Sequence, residues 1–225
     1  MTLLTLSMPW QFVALIFPVC VMLFRLLAYR VRTSMQSYPL ITDCADTATS
    51  GIVWLYACAA TAVVLAPLPE RLPALLSLLF LFRLTLTDAL NGLLPRILTV
   101  SFLLAGLAAS LWHYDYSGLG PAVAVLSKNL FYAIFMMLIA GGFRLFSLSV
   151  HGYENPASGD VWLSGAICAW LGLRGFHAVV TGFVLFMLWQ VQLRRTSEGG
   201  PLGPWLAAGA VMVTLFQLYQ PLITW

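Results

Sequence analysis

Residues 154–172 read ENPASGDVWLSGAICAWLG: a turn-forming stretch, an acid at Asp160, and then an apolar run that closes on Gly172. Residues 87–99, TDALNGLLPRILT, show the reverse order, with Asp88 at the end of an apolar run rather than at the start of one. A lone carboxylate beside hydrocarbon is costly. Its retention points to chemistry, to a proton or ion path, or to a structural pair. Working outward from these acids, apolar segments lie near Pro9 to Phe24, Gly51 to Pro67, Leu72 to Thr87, Ile97 to Trp112, Asn129 to Phe143, Val161 to Leu173, Gly175 to Leu193 and Leu202 to Thr224. Their number predicts an all-α, polytopic transmembrane bundle of about eight helices. Several fall short of the roughly 20 residues that cross the hydrocarbon, so they borrow flanking residues or sit inside the bundle.

Composition agrees. The 225 residues are 61% hydrophobic and 8% charged, with mean hydropathy +0.91, against roughly 25% charged residues in ordinary soluble domains. That excludes a soluble enzyme or a nucleic-acid-binding module and leaves no room for a large soluble domain beside the spans. A single integral membrane domain over residues 1–225 is expected, with the bilayer as a partner and function in or beside it. The first nine residues carry no basic region and no small-residue cleavage site follows, so the first segment is expected to stay as a span.

Short cytoplasmic loops retain Lys and Arg. With the amino terminus outside, Arg25, Arg30, Arg32, Arg83, Arg96, Arg144, Arg194 and Arg195 gather on the cytoplasmic side, Arg71 and Arg174 fall outside, and Lys128 snorkels at the outer end of the fifth segment. This orientation puts Asp88 at the cytoplasmic end of the third helix and Asp160 at the cytoplasmic start of the sixth. Residues 30–50, with Tyr38-Pro39, Asp43 and Asp46, read as a short cytoplasmic loop, and the stretch from Arg194 to Pro204 reads as a second, turn-rich connection. Cys20, Cys44, Cys58 and Cys168 have no metal-pair spacing and are expected as packing residues. His113, His151 and His177 are scattered. No metal and no cofactor are expected.

Three places in the chain resemble the type IV prepilin peptidases, membrane aspartic proteases of the GxGD type. Asp88, Leu94-Pro95, Thr99 and Gly106-Leu107 keep the order and spacing of that family's first catalytic element. Gly159-Asp160 followed by Ala169-Trp170-Leu171-Gly172 looks like its Gly-x-Gly-Asp element and the helix behind it. Pro201-Leu202-Gly203-Pro204 is similar to the Pro-Phe-Gly-Pro that introduces its last helix. The resemblance implies Asp88 and Asp160 as the catalytic pair, in a membrane endopeptidase that removes the short basic leader of type IV prepilins or pseudopilins at the cytoplasmic face of the inner membrane. Such a substrate keeps its hydrophobic helix in the bilayer and presents the scissile bond where both acids are expected.

The chain departs from the family at Ala157 in place of the first glycine, at Arg96 in place of an acid and at Trp162 in place of a common lysine. Residues 30–50 hold only Cys44 where longer members carry a zinc domain, so amino-terminal methylation is left unassigned. Peptide hydrolysis by water needs one ionised carboxyl to take a proton and one neutral carboxyl to polarise the carbonyl, and two aspartates sharing a proton supply both. If Asn91-Gly92 ends the third helix, Asp88 lies at a negative helix end and Asp160 at a positive one, which favours Asp160 as base and Asp88 as proton donor.

Supporting residues have simpler roles. Ser158 is expected to cap the sixth helix. Gly159 belongs to the Gly-Asp motif and Pro95 to the first element. Asn91 has two readings, a hydrogen bond to a catalytic carboxyl or a cap on a broken helix. Glu154 reads as a solvated loop acid or a contact for the substrate leader, and Trp170, Trp189, Trp205 and Trp225 read as interface anchors. Two non-enzymatic alternatives stay open: a proton- or ion-coupled carrier using the same acids as relays, and an inactive subunit of pilus assembly.

Overall fold

The computed structural model describes residues 10–34, 45–66, 71–92, 94–111, 119–152, 156–193 and 200–223. Among these residues the chain forms eight α-helices: α1 (Trp10–Ser34), α2 (Ala45–Leu65), α3 (Arg71–Asn91), α4 (Arg96–Ser110), α5 (Leu119–His151), α6 (Ser158–Leu171), α7 (Arg174–Leu193) and α8 (Gly203–Ile223). Five contain stretches long and apolar enough to cross a membrane: Phe12–Ser34, Ala48–Leu65, Arg71–Asn91, Ala122–Val150 and Arg174–Gln192. The protein is a multi-pass, all-α membrane bundle, as its hydropathy predicts.

Helix lengths differ from the apolar runs where polar residues interrupt hydropathy without interrupting the backbone. α5 starts at Leu119 rather than near Asn129. Pro121 falls in its first turn, where a missing N–H costs nothing. Further along, Ser127 bonds the Ala124 carbonyl at 2.9 Å and Asn129 donates to the Ala169 carbonyl of α6 at 3.3 Å. Lys128 therefore lies well inside α5, exposed, and not at the segment's end. α1 runs through Ser34 and α2 begins at Ala45, so the expected loop over residues 30–50 narrows from both sides. Cys44, Asp43, Glu154, His113, Arg194, Arg195 and Trp225 lie outside the described residues.

α6 is the centre of the bundle. Its 14 residues span only about 21 Å at about 1.5 Å per residue, too short to cross the bilayer alone. It packs against α4, α5, α7 and α8, and Gly159, Asp160 and every residue from Leu163 to Ala169 are buried. Small residues allow this, because between membrane helices close backbone approach replaces the hydrophobic drive. Gly165 lies against Met137 and the Ala133 carbonyl of α5.

Two aromatic clusters tie the remaining helices together. Phe24, Tyr56 and Phe82 join α1, α2 and α3 with ring centroids 4.7 to 6.1 Å apart, and Tyr56 Oη lies 2.7 Å from Thr85 Oγ1. Phe80, Phe102 and Trp170 join α3, α4 and α6. Trp170 is thus no interface anchor. Its indole N–H donates to the Phe102 carbonyl at 2.8 Å, and the ring lies over Gly106. Trp189 and Trp205 pack on each other across α7 and α8 at 5.5 Å. Cys168 is buried as a packing residue, whereas Cys58 is exposed on α2 and does not share that role.

Candidate active site

Asp88 occupies the last turn of α3. That helix ends at Asn91 because Gly92 takes a left-handed conformation, φ 63°, and its N–H returns to the Asp88 carbonyl at 2.7 Å. Gly is favoured there because a Cβ strains this backbone region. The chain then passes through Leu94 and Pro95. Pro95 stands at φ −62° and ψ 122° as the residue before α4, and its carbonyl accepts from Leu98 and Thr99. Thr99 is fully buried and caps its own turn through Oγ1 on the Arg96 carbonyl at 2.9 Å.

Asp160 occupies the first turn of α6. Its Oδ2 reaches back to accept the N–H of Ala157 at 3.2 Å, while the Ser164 hydroxyl donates to its main-chain carbonyl at 2.7 Å. Ala157, not Ser158, is the residue that precedes the helix, and it makes no side-chain cap. The expected Ser158 cap is corrected: Ser158 is already helical, and the carboxyl of Asp160 meets the free amide instead. Ala157 sits at φ −65°, so the methyl group in place of the family glycine carries no backbone strain.

The fold brings the two acids to the same end of the bundle, within Coulombic range of each other. Asp88 is 4% exposed and Asp160 is 6% exposed, so both are withdrawn from bulk water. Leu94 stands between their helices: a methyl group on Gly159 would lie 2.6 Å from Leu94 Cβ, and one on Gly203 would lie 3.2 Å from Leu94 Cδ1. The start of α8 also closes on Asp88. Oδ2 of Asp88 is buried against Gly203 and has no hydrogen-bond partner among the described residues. A methyl group at Gly203 would stand 2.5 Å from that oxygen. Asn91, one turn beyond Asp88, is buried beside this junction.

The dipole expectation therefore changes. Asp88 does lie at the negative end of its own helix, as Asn91-Gly92 foretold, but it also meets the positive end of α8. Asp160 accepts a main-chain amide at the start of α6 and Asp88 lies against the first residue of α8, so helix ends alone do not divide base from acid.

A groove of about 570 Å³ opens beside Asp160. Met136, Ala140 and Phe143 of α5 and Phe176, Val180 and Phe183 of α7 line it, with Asp160 and Ser164 of α6 in its wall. A second, smaller cavity, about 80 Å³ between Ser110, Asn129 and Gln217, touches neither acid. Among the described residues no group of His, Cys, Asp and Glu could hold a metal ion.

Among known proteins, the chain is 28% identical over 186 residues to a prepilin leader peptidase/N-methyltransferase of Burkholderia pseudomallei (strain 1026b), a match covering 80% of this chain and 54% of that protein. This chain is a relative of the prepilin leader peptidases. Proteins of the same name from Dickeya chrysanthemi and Pectobacterium carotovorum subsp. carotovorum are each 33% identical, over 136 and 145 residues, covering 56% and 61% of this chain and 44% and 49% of theirs. The chain spans about half the length of the curated relatives it matches. No protein-family model and no solved structure matches it.

Of the segments that carry the resemblance, those around Asp88 and Leu94-Pro95, Gly159-Asp160 and Pro201 to Pro204 converge at one end of the bundle, whereas Gly106 and Trp170 meet each other farther along α4 and α6. Sequence reasoning recognises Leu94 and Gly203 only as letters of a motif. Their contacts with Gly159 and Asp88 depend on which helices lie side by side. The groove residues carry no signal at all, because in a membrane helix every face is apolar.

Proposed function

We propose that the protein is a membrane aspartic endopeptidase that removes the leader of a type IV prepilin or pseudopilin, with Asp88 and Asp160 as its catalytic pair. The observation that carries this reading is the convergence of two buried aspartates, Asp88 and Asp160, at one end of the bundle, with Asp160 in the wall of an apolar groove. A pair of carboxyls acting in one site shares one proton. The ionised one takes a proton from water as the water oxygen attacks the scissile carbonyl carbon, and the protonated one gives its proton to the carbonyl oxygen. Collapse of the resulting tetrahedral species passes a proton to the amide nitrogen as the C–N bond breaks. The pair titrates as a unit, and no covalent intermediate forms.

The groove supports the substrate class. A prepilin places its scissile bond beside a hydrophobic helix, and an apolar channel with Asp160 in its wall suits that join. We place the protein in the inner membrane with its amino terminus outside, as a single peptidase domain whose first connection is a short cytoplasmic loop. Arg25, Arg30, Arg32, Arg83, Arg96 and Arg144 all lie towards the end of the bundle that holds the two acids, which supports this orientation.

The test is cleavage of a purified prepilin in detergent by wild type, Asp88→Asn and Asp160→Asn. Asparagine matches aspartate in size and keeps an acceptor for the Ala157 amide, so the fold is preserved. Wild type should yield mature pilin and each variant should lose at least about 10³-fold in rate. An uncut precursor with wild type, or undiminished cutting by either variant, overturns the reading.

A further inference from the structure

We propose that Ser164 is a substrate-binding residue whose hydroxyl oxygen accepts a main-chain N–H from the first turn of the prepilin's hydrophobic helix, one turn deeper in the bundle than the scissile bond. The inference rests on the catalytic pair and the groove proposed above and goes beyond them. Among the described residues that line the groove, only Asp160, Ser164 and Ser147 have polar side chains. Ser164 follows Asp160 by four residues on α6, which places it about 6 Å further from the start of that helix at about 1.5 Å per residue. One turn of a substrate helix rises about 5.4 Å. A helix lying in the groove with its amino end at Asp160 therefore brings its first turn level with Ser164.

The chemistry of the two partners matches. Ser164 is 4% exposed, and its hydroxyl proton is committed to the Asp160 carbonyl at 2.7 Å, so towards the groove it offers lone pairs and no proton. The first four N–H groups of any helix have no partner within it. In a groove walled by Met136, Phe143, Phe176 and Phe183, such an amide loses its water and finds no replacement in the apolar side chains. The substrate brings donors, and α6 supplies the acceptor. A packing role would be met by alanine, as at Ala166 and Ala169 of the same buried helix, with better helix propensity and no polar atom to desolvate.

Ser164→Ala deletes the acceptor and opens only the space of one oxygen. KM for prepilin should rise about tenfold, the worth of one neutral hydrogen bond, with kcat within about twofold, since the contact is made equally in the ground and transition states. Ser101→Ala removes the same kind of intrahelical bond, to the Ile97 carbonyl, on a helix that does not line the groove, and should change neither constant. A second measurement leaves the enzyme intact: prepilins with an ester in place of one of the first four amide bonds after the cut each lack a single N–H. One of these four should show a KM about tenfold higher with wild type, and for that substrate Ser164→Ala should add no further rise. An unchanged KM in Ser164→Ala overturns the proposal, as does a fall in kcat at constant KM, which would mean that the hydroxyl acts by holding Asp160 in place. Losses that multiply at all four ester positions overturn it as well. Asp88→Asn and Asp160→Asn run alongside. If they cut normally the catalytic pair is wrong, whereas if they are dead while Ser164→Ala keeps the KM of wild type, only the role of Ser164 fails.

Discussion

Leu94 Cβ occupies the space that a side chain on Gly159 would need, at 2.6 Å from the position of the missing Cβ. The blocking atom is the root of the Leu94 side chain, not a flexible tip, so relief requires the backbone of the α3–α4 connection or of α6 to move. Gly159→Ala should therefore cost about 1–3 kcal/mol of stability as overpacking. By displacing Asp160 it should also cut the cleavage rate by about 10²-fold, the order of loss expected for a shift of about 1 Å. Adding Leu94→Gly should recover part of the rate, and the shortfall from additivity in a double-mutant cycle measures the contact. Full additivity would show that the two residues do not meet.

Trp170 offers a separate test of the bundle away from the acids. Its indole bonds the Phe102 carbonyl at 2.8 Å and stacks on the Phe102 ring at 5.5 Å. Trp170→Phe should cost about 0.5–1.5 kcal/mol for the lost hydrogen bond. Trp170→Ala should cost about 3–5 kcal/mol for the cavity. Thermal denaturation in detergent reads both. Equal, negligible losses would mean that the ring lies at the lipid interface, as its position near a segment end suggests.

The groove beside Asp160 can be filled from α7. Val180 lines it and is 61% exposed, so Val180→Trp adds bulk without disturbing the core. KM for prepilin should rise about tenfold, equivalent to about 1.4 kcal/mol, with kcat nearly unchanged because the acids are untouched. Leu188→Trp, equally exposed on the same helix but outside the groove, is the control and should leave both constants alone. Equal effects of the two substitutions would remove the groove from the substrate path.

Hydropathy and the positions of Asp88 and Asp160 are legible in the residues alone: eight apolar runs correspond to eight helices, and Asn91-Gly92 ends α3 where a left-handed glycine is expected. These features are local. Burial in lipid depends on composition, and helix ends depend on one or two residues. The start of α5 escapes the same reading because hydropathy falls at Ser127-Lys128-Asn129, whereas a helix needs only backbone bonds to continue.

Tertiary structure alone decided what surrounds the acids. That Asp88, at the negative end of α3, lies against Gly203 at the start of α8, that Leu94 separates Gly159 from Gly203, and that α5 and α7 leave a groove at Asp160 all follow from which helices pack together. Packing between apolar helices is set by shape and small residues rather than by hydrophobic contrast, and a hydropathy pattern contains no record of shape.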